Sequence, residues 1–253
     1  MFNLGRARAV FTNRTGGVSS EPYNTLNLSV DVGDDERAVA ANRARVNRAV
    51  GADVLWLHQV HSHRVLRLRP GYTANLPDAD GVILDSSEFR SLGLRVPGLG
   101  VQVADCVPVL FGSDDGQIIG VVHAGRAGVA TGIVKEAAYQ FRVMGVPANR
   151  IYAAVGPCIC GQCYEVPYDL QQHVARLEPA TWSLTRESTP ALDLRSGVVQ
   201  QLRTAGFKIT FVSRRCTYEE PRLFSYRRDG VTGRFSGVVV SHDPDLPERP
   251  EQP

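Results

Sequence analysis

Apolar and polar positions change their period repeatedly along the chain. Residues 35–50 (DERAVAANRARVNRAV) read as a helix, with Asp34 or Asp35 as the cap of its first turn and Gly51 just past its end. Residues 7–12, 54–68, 117–123, 151–156 and 208–213 read as strands, and FSGVVV (235–240) as a last one. Segment 100–111 is largely apolar around an Asp105-Cys106 pair. Helical stretches run from the glycines at 125 and 128 to about Met144, and over 196–205. This alternation predicts an α+β fold, a mixed α/β sandwich around a mixed β-sheet, in a single domain over 1–241. There is no internal repeat. Residues 242–253 (HDPDLPERPEQP) are rich in proline and acid and are expected to form a mobile tail.

Composition narrows the functional classes. A length of 253 residues allows a substantial core, and 43% hydrophobic with 21% charged residues excludes wholesale disorder. A net charge of +2 without a basic run gives no footprint of a nucleic-acid binder. No apolar run reaches the roughly 20 residues needed to span a bilayer, so no membrane partner is expected. The opening MFNLGRARAVFTNR lacks the apolar segment of a secretory signal. With five cysteines, an odd number, the expectation is a cytoplasmic protein with reduced thiols. Lys135 and Lys208 are the only lysines, so recognition of anions falls to arginine, which suits bidentate phosphate and carboxylate contacts.

The candidate chemistry lies in three places. His58, His61 and His63 sit in the 54–68 segment. On a strand His61 and His63 share a face with Gln59 and His58 points away, and spacing alone leaves open which of them binds metal. Asp105 is the odd element of an apolar run, since a carboxylate there needs a partner or a cavity edge. His123 ends a hydrophobic strand and opens a glycine-rich turn into a helix, where α/β proteins expose functional side chains. Two imidazoles with the Cys106 thiolate make a three-ligand zinc set with an open fourth position. The rival cluster is Cys158-Ile159-Cys160-Gly161-Gln162-Cys163, which contains C-x-x-C and reads as half a structural zinc site or a redox pair. A second C-x-x-C is missing and Cys216 is distant, so Cys158, Cys160 and Cys163 are expected to bind no metal.

The order of motifs carries a resemblance over roughly residues 10–240. It runs through Asn13-Arg14-Thr15-Gly16-Gly17-Val18-Ser19, Tyr23-Asn24-Thr25-Leu26-Asn27-Leu28, Val32-Gly33-Asp34-Asp35, Asn42-Arg43 and Gln59-Val60-His61. It continues through Ala79-Asp80-Gly81, Ala104-Asp105-Cys106-Val107-Pro108-Val109, His123-Ala124-Gly125, Gly156-Pro157, Cys163-Tyr164-Glu165-Val166 and Tyr226-Arg227-Arg228-Asp229-Gly230. In these the chain resembles the YfiH-type multicopper polyphenol oxidase-like family, or laccase-domain proteins. The resemblance implies His61, Cys106 and His123 as metal ligands, with zinc as the cofactor and copper as the alternative. One departure is Arg126, which stands where the family often has a tryptophan after His-Ala-Gly.

The same resemblance implies phosphorolysis of purine nucleosides (adenosine, inosine, guanosine, methylthioadenosine), with adenosine deamination as a further activity. Phosphate and nucleoside are then the expected partners. Phosphorolysis needs an anion cradle, for which Arg14, Arg43 and Arg228 are the candidates, with Gln59 as a further substrate contact. Deamination needs an activated water, which zinc with an open position supplies. The H-x-E and P-C-x-x-C signature of zinc deaminases is absent, and Asp105, with Cys106, is the catalytic candidate, Glu165 a weaker one. The competing readings are an amidase releasing L-serine from a muramyl-peptide precursor, a copper-dependent polyphenol oxidase, and a non-enzymatic protein that zinc merely stabilises.

Overall fold

The structure, a computed structural model, describes residues 1–71 and 77–242. Of the tail expected over 242–253, all but residue 242 lies outside the described residues. The chain opens with strands β1 (Phe2–Leu4) and β2 (Ala7–Phe11), then helix α1 (Glu36–Val50). Strands β3 (Val54–Trp56), β4 (Val65–Leu68) and β5 (Gly81–Asp85) follow, then α2 (Ser86–Arg90). Next come β6 (Gly98–Val103), β7 (Val107–Ser113) and β8 (Ile118–Ala124), α3 (Arg126–Thr131), α4 (Ile133–Val143) and β9 (Ile151–Val155). The remainder is α5 (Tyr168–Leu177), β10 (Trp182–Leu184), β11 (Pro190–Leu192), α6 (Leu194–Ala205), β12 (Lys208–Val212), α7 (Tyr226–Asp229) and β13 (Phe235–Val240).

Two mixed sheets stack face to face, in the orders β1-β2-β13-β6-β3 and β12-β9-β7-β8-β5-β4. The pairs β3/β6, β4/β5 and β12/β9 are parallel and the others antiparallel. The period-two alternation of strand side chains builds the layers. Leu110 of β7 and Val239 of β13 enter the core between the sheets with Leu99, Val101, Ile119 and Val121. Their neighbours Val109 and Phe111 face outward, onto Phe141 of α4 and Val198 and Leu202 of α6. Val238 and Val240 face the other way, onto Val46 and Val50 of α1. The predicted α+β sandwich is therefore present, built on two stacked sheets rather than one, with β10 and β11 forming a separate two-stranded sheet.

Helix α1 begins and ends for the expected reasons. The Asp35 carboxylate accepts the Arg37 N–H at 3.0 Å, which settles the choice between Asp34 and Asp35. Gly51 takes the left-handed conformation at φ 80° and donates to Asn47 O at 2.8 Å. On the buried face of α1, the Asn42 amide donates to Ser19 Oγ (2.9 Å), Thr25 O (3.1 Å) and Asn27 O (2.9 Å) and accepts from Val18 N–H (2.9 Å). It thereby fixes the long segment before the helix. Asn42→Ala is expected to cost about 2–3 kcal/mol, because it leaves buried partners unsatisfied. A lower urea midpoint with an unchanged slope is the expected reading.

The single strand expected over 54–68 is two strands, with the histidines on the loop between them. The backbone N–H groups of residues 60–62 turn to the Asp80 carboxylate instead of pairing in a ladder. The apolar run 100–111 breaks at 104–106, where the chain leaves the first sheet for the second. The helical stretch after Gly125 breaks at Gly132, φ 89°. Strands β1 and β5, helix α5 and the β10–β11 hairpin have no counterpart in the sequence reading.

Candidate functional site

One metal-ligand candidate, His61, and the residue before another, Asp105, sit on strained backbone. His61 takes φ 59° and Asp105, just before Cys106, takes φ 96°. Non-glycine residues held there cost about 1–3 kcal/mol each and persist only when their surroundings fix them. Asp80 is what fixes the first. Fully buried, it accepts the N–H of His61 (3.0 Å) and both the N–H (2.6 Å) and hydroxyl (2.7 Å) of Ser62. It also binds His123 Nδ1 at 2.8 Å, which leaves the other nitrogen of that ring free for a further partner. Asp105 is held by its own carboxylate, which accepts Thr217 Oγ1–H at 2.5 Å and Arg227 N–H at 2.7 Å.

These constraints bring His61, Cys106 and His123 together. Cys106 Sγ lies 3.9 Å from His61 Nε2, the two imidazoles meet edge to face at 4.7 Å, and the ligand atoms of all three lie within 4.8 Å of one another. A tetrahedral zinc ion separates a thiolate from an imidazole nitrogen by about 3.5 Å, so the set fits such an ion with slight contraction. Glycine is required beside it. A Cβ on Gly125 would stand 2.8 Å from His61 Cδ2 and 3.4 Å from Cys106 Sγ. His58 and His63 stay outside this group. Burial decreases from His123 through Cys106 to the exposed His61, so one side of the site faces solvent.

The electrostatics favour a cation. Burial opposes ionisation of Asp80, but hydrogen bonds from His123 and Ser62 hold its pKa at about 2. Burial pushes the Cys106 thiol up, and the two histidines overcome it to bring the pKa to about 6. Burial also pulls His123 down, while the Cys106 thiolate and Asp80 lift it to about 9. The thiol is thus poised as the thiolate, the form that ligates metals.

The three residues line a cleft of about 680 Å³, a size suited to a small organic ligand. Gln59 lines it, with its side-chain amide paired to the backbone of Gln102 in both directions at 2.8 Å. Asp105 lines it too, with both carboxylate oxygens engaged as described. Glu165 does not line it. The three arginines expected to cradle phosphate lie elsewhere. Arg14 donates to Asn24 O and Oδ1 at 2.8 Å and packs on Phe224. Arg43 donates to Leu28 O at 2.9 Å and stacks over Trp56. Arg228 spends its donors on the carbonyls of Thr217 (2.7 Å) and Leu223 (2.8 Å) and on Asp229. All three act as braces for loops.

The cations that do line the cleft are Arg126, Arg227 and Arg234, flanked by Tyr164 and Tyr226. Arg227 stacks over Tyr164 and donates to Glu165 O at 2.8 Å, and burial lowers the Arg234 pKa. Sequence reasoning chose Arg228 from the Arg227-Arg228 pair because nothing local says which of the two faces inward. Asp80 lies in the shared motif Ala79-Asp80-Gly81, but nothing in the sequence gives it a role, beyond its being a carboxylate before the apolar run Val82-Ile83-Leu84.

The cysteine-rich loop is not isolated either. The ligand atoms of Cys160, Cys163, Cys216 and Glu219 also lie within 4.8 Å of one another. The ground for expecting no metal there, the lack of a matching pair, therefore fails. Cys158 stays apart, buried in the core with its Sγ accepting from Arg195 Nε at 3.3 Å.

Comparison with known proteins agrees with this architecture. A family model described as multi-copper polyphenol oxidoreductase laccase matches residues 8–242. A purine nucleoside phosphorylase of Streptomyces griseus is 42% identical over 240 residues, covering 93% of this chain and 94% of the relative. One from Mycobacterium tuberculosis H37Rv is 41% identical over 237 residues, covering 92% of each. The crystal structure of YlmD from Geobacillus stearothermophilus superposes with a TM-score of 0.83 at 30% identity, over 94% of this chain and 93% of that one. Among the described residues no helix is long and apolar enough to cross a membrane. With its ordered motifs, its two stacked sheets and its match across nearly the whole length, the chain belongs to the multi-copper polyphenol oxidoreductase laccase family.

Proposed function

We propose that the chain is a zinc-dependent purine nucleoside phosphorylase acting on adenosine, inosine, guanosine or methylthioadenosine, with adenosine deamination as a second activity, in the cytoplasm. The observation that carries this reading is the cleft in which His61, Cys106 and His123 face Arg126, Arg227 and Arg234. The names of the relatives, purine nucleoside phosphorylases 42% and 41% identical over 94% and 92% of their length, support the same reaction. Bound zinc supplies a Lewis acid that stabilises developing negative charge. Zinc is favoured over copper because, among the described residues lining the cleft, no methionine offers the axial ligand of a blue-copper site.

The residues then divide the work. Arg126, Arg227 and Arg234 hold phosphate by charge-assisted hydrogen bonds and place it beside the sugar. A hydrogen phosphate oxygen bonds to C1′ as the bond from C1′ to the base nitrogen breaks, and the proton that the phosphate gives up, directly or through water, ends on the base. Positive charge spreads over the ribose as this happens, and the anion held next to it lowers the barrier. Tyr164 and Tyr226 offer flat faces to the base. Asp105 acts as a positioning residue, since it ties the Arg227 backbone and Thr217 to the turn that presents Cys106.

The test is turnover of each nucleoside with and without phosphate. Free base and ribose 1-phosphate are expected only when phosphate is present. Arg227→Ala and Arg234→Ala are each expected to remove about 1.5–3 kcal/mol of phosphate binding, roughly a 10–150-fold rise in KM for phosphate. Arg43→Ala, outside the cleft, should leave that KM unchanged. Nucleosides left intact by zinc-loaded protein, with serine released from a muramyl-serine precursor, would replace this reading with the amidase one.

A further inference from the structure

Outside the cleft, the feature that asks most for an explanation is the meeting of residues 160–163 with residues 216–219. Each segment is a donor pair at the same spacing, Cys-x-x-Cys and Cys-x-x-Glu. Each also folds into the same turn. The carbonyl of Cys160 accepts the N–H groups of Cys163 and Tyr164, both at 3.0 Å, and the carbonyl of Cys216 accepts those of Glu219 (3.2 Å) and Glu220 (2.9 Å). The turns are locked together. Cys160 N–H points at Cys216 Sγ at 3.3 Å, and Thr217 N–H donates to Cys158 O at 3.1 Å beside a parallel bridge between Cys158 and Cys216. The result is three thiols and one carboxylate converging from two matched knuckles, with backbone N–H groups oriented toward a sulfur.

We propose that Cys160, Cys163, Cys216 and Glu219 bind a second divalent ion, of the zinc class, in a closed site of three sulfurs and one oxygen. Four protein ligands with no open position mark a structural site rather than a catalytic one. Binding forms three metal–sulfur bonds and one metal–oxygen bond and releases the thiol protons to solvent, with no change of oxidation state. Three thiolates and a carboxylate overcompensate a divalent charge, and Arg186, paired with Glu219 through one carboxylate oxygen, offsets part of the excess. The second oxygen of Glu219 is left for the ion.

The site also has a task in the fold. Residues flanking its ligands form part of the cleft. Ile159 lines the cleft and donates its N–H to Asp105 O at 3.0 Å. Tyr164 lines it as well, and Thr217 holds the Asp105 carboxylate. An ion clamping the two knuckles therefore steadies the turn that carries Cys106. This inference is independent of the nucleoside reading, since it is read by counting metal.

The experiment uses the full chain, purified under reducing conditions and loaded with Zn(II). Two ions per chain are expected for the wild type, and one each for Cys163→Ser and Cys106→Ala. Cobalt gives a second measurement that needs no change in the knuckles. Cys106→Ala removes the only thiolate of the cleft site, so a thiolate-to-cobalt charge-transfer band in Co(II)-loaded Cys106→Ala protein reports the second site directly. One ion in the wild type, none in Cys106→Ala and no such band would overturn the proposal. So would a Cys160–Cys216 disulfide found by peptide mapping in place of the ion.

Discussion

Cys106→Ala is expected to abolish nucleoside turnover and to empty the cleft site while leaving the fold in place. The side chain is small and half-buried at the mouth of β7, so its removal opens little core. The electrostatic loss is much larger. Without the thiolate, His61 and His123 offer a cation two neutral donors and no negative charge in direct contact with it. Metal content and phosphate-dependent release of base should fall together in this variant, and added zinc should restore neither. A variant that turns over nucleoside at the wild-type rate would remove the cleft metal from the reaction.

Asp80→Asn is expected to act nearly as strongly without touching the metal. A carboxylate offers acceptors only, and Asp80 uses both oxygens to collect the N–H groups of residues 60–62, the Ser62 hydroxyl and His123 Nδ1. An amide would aim N–H groups at some of those donors inside a fully buried pocket. Loss of such a partner to a metal-ligating histidine weakens metal binding by about 10–100-fold, and the unsatisfied donors add a stability cost of about 1–3 kcal/mol. Competition with a chelator reads the first and urea unfolding the second. A role confined to stability would lower the unfolding midpoint and leave the chelator competition unmoved.

The sequence made some of this legible and hid the rest for physical reasons. Strand and helix periods match α1 with its caps, and β8, β9, β12 and β13 to within a residue or two: α1 buries one face, and β8, β9 and β13 are apolar runs buried almost throughout. The histidine loop was read as a strand because its apolar flanks are strand-like. The force that breaks it, a carboxylate 18 residues away from Ser62, is not a local property. Family motifs separated His61 from His58 and His63 where spacing could not. The arginines illustrate the opposite case. Arg14, Arg43 and Arg228 lie in motifs, but their donors serve backbone carbonyls, and a residue needed for folding marks a sequence as clearly as one that binds substrate. Cys216 and Glu219 were missed because a single C-x-x-C says nothing about a partner that arrives 53 residues later in the chain.

The position of β13 bears on how the protein is made. It is the last of the described strands in chain order, yet it lies at the centre of its sheet, between β2 and β6. The other sheet has all its described strands once β12 is complete at Val212. During synthesis that sheet and its helices can assemble first, while β2 and β6 wait with unpaired edges, the condition in which strands recruit foreign partners. Chains cut short of Phe235 would keep that exposed edge permanently. Aggregation of such fragments, rather than partial activity, is the fate that this order of assembly imposes.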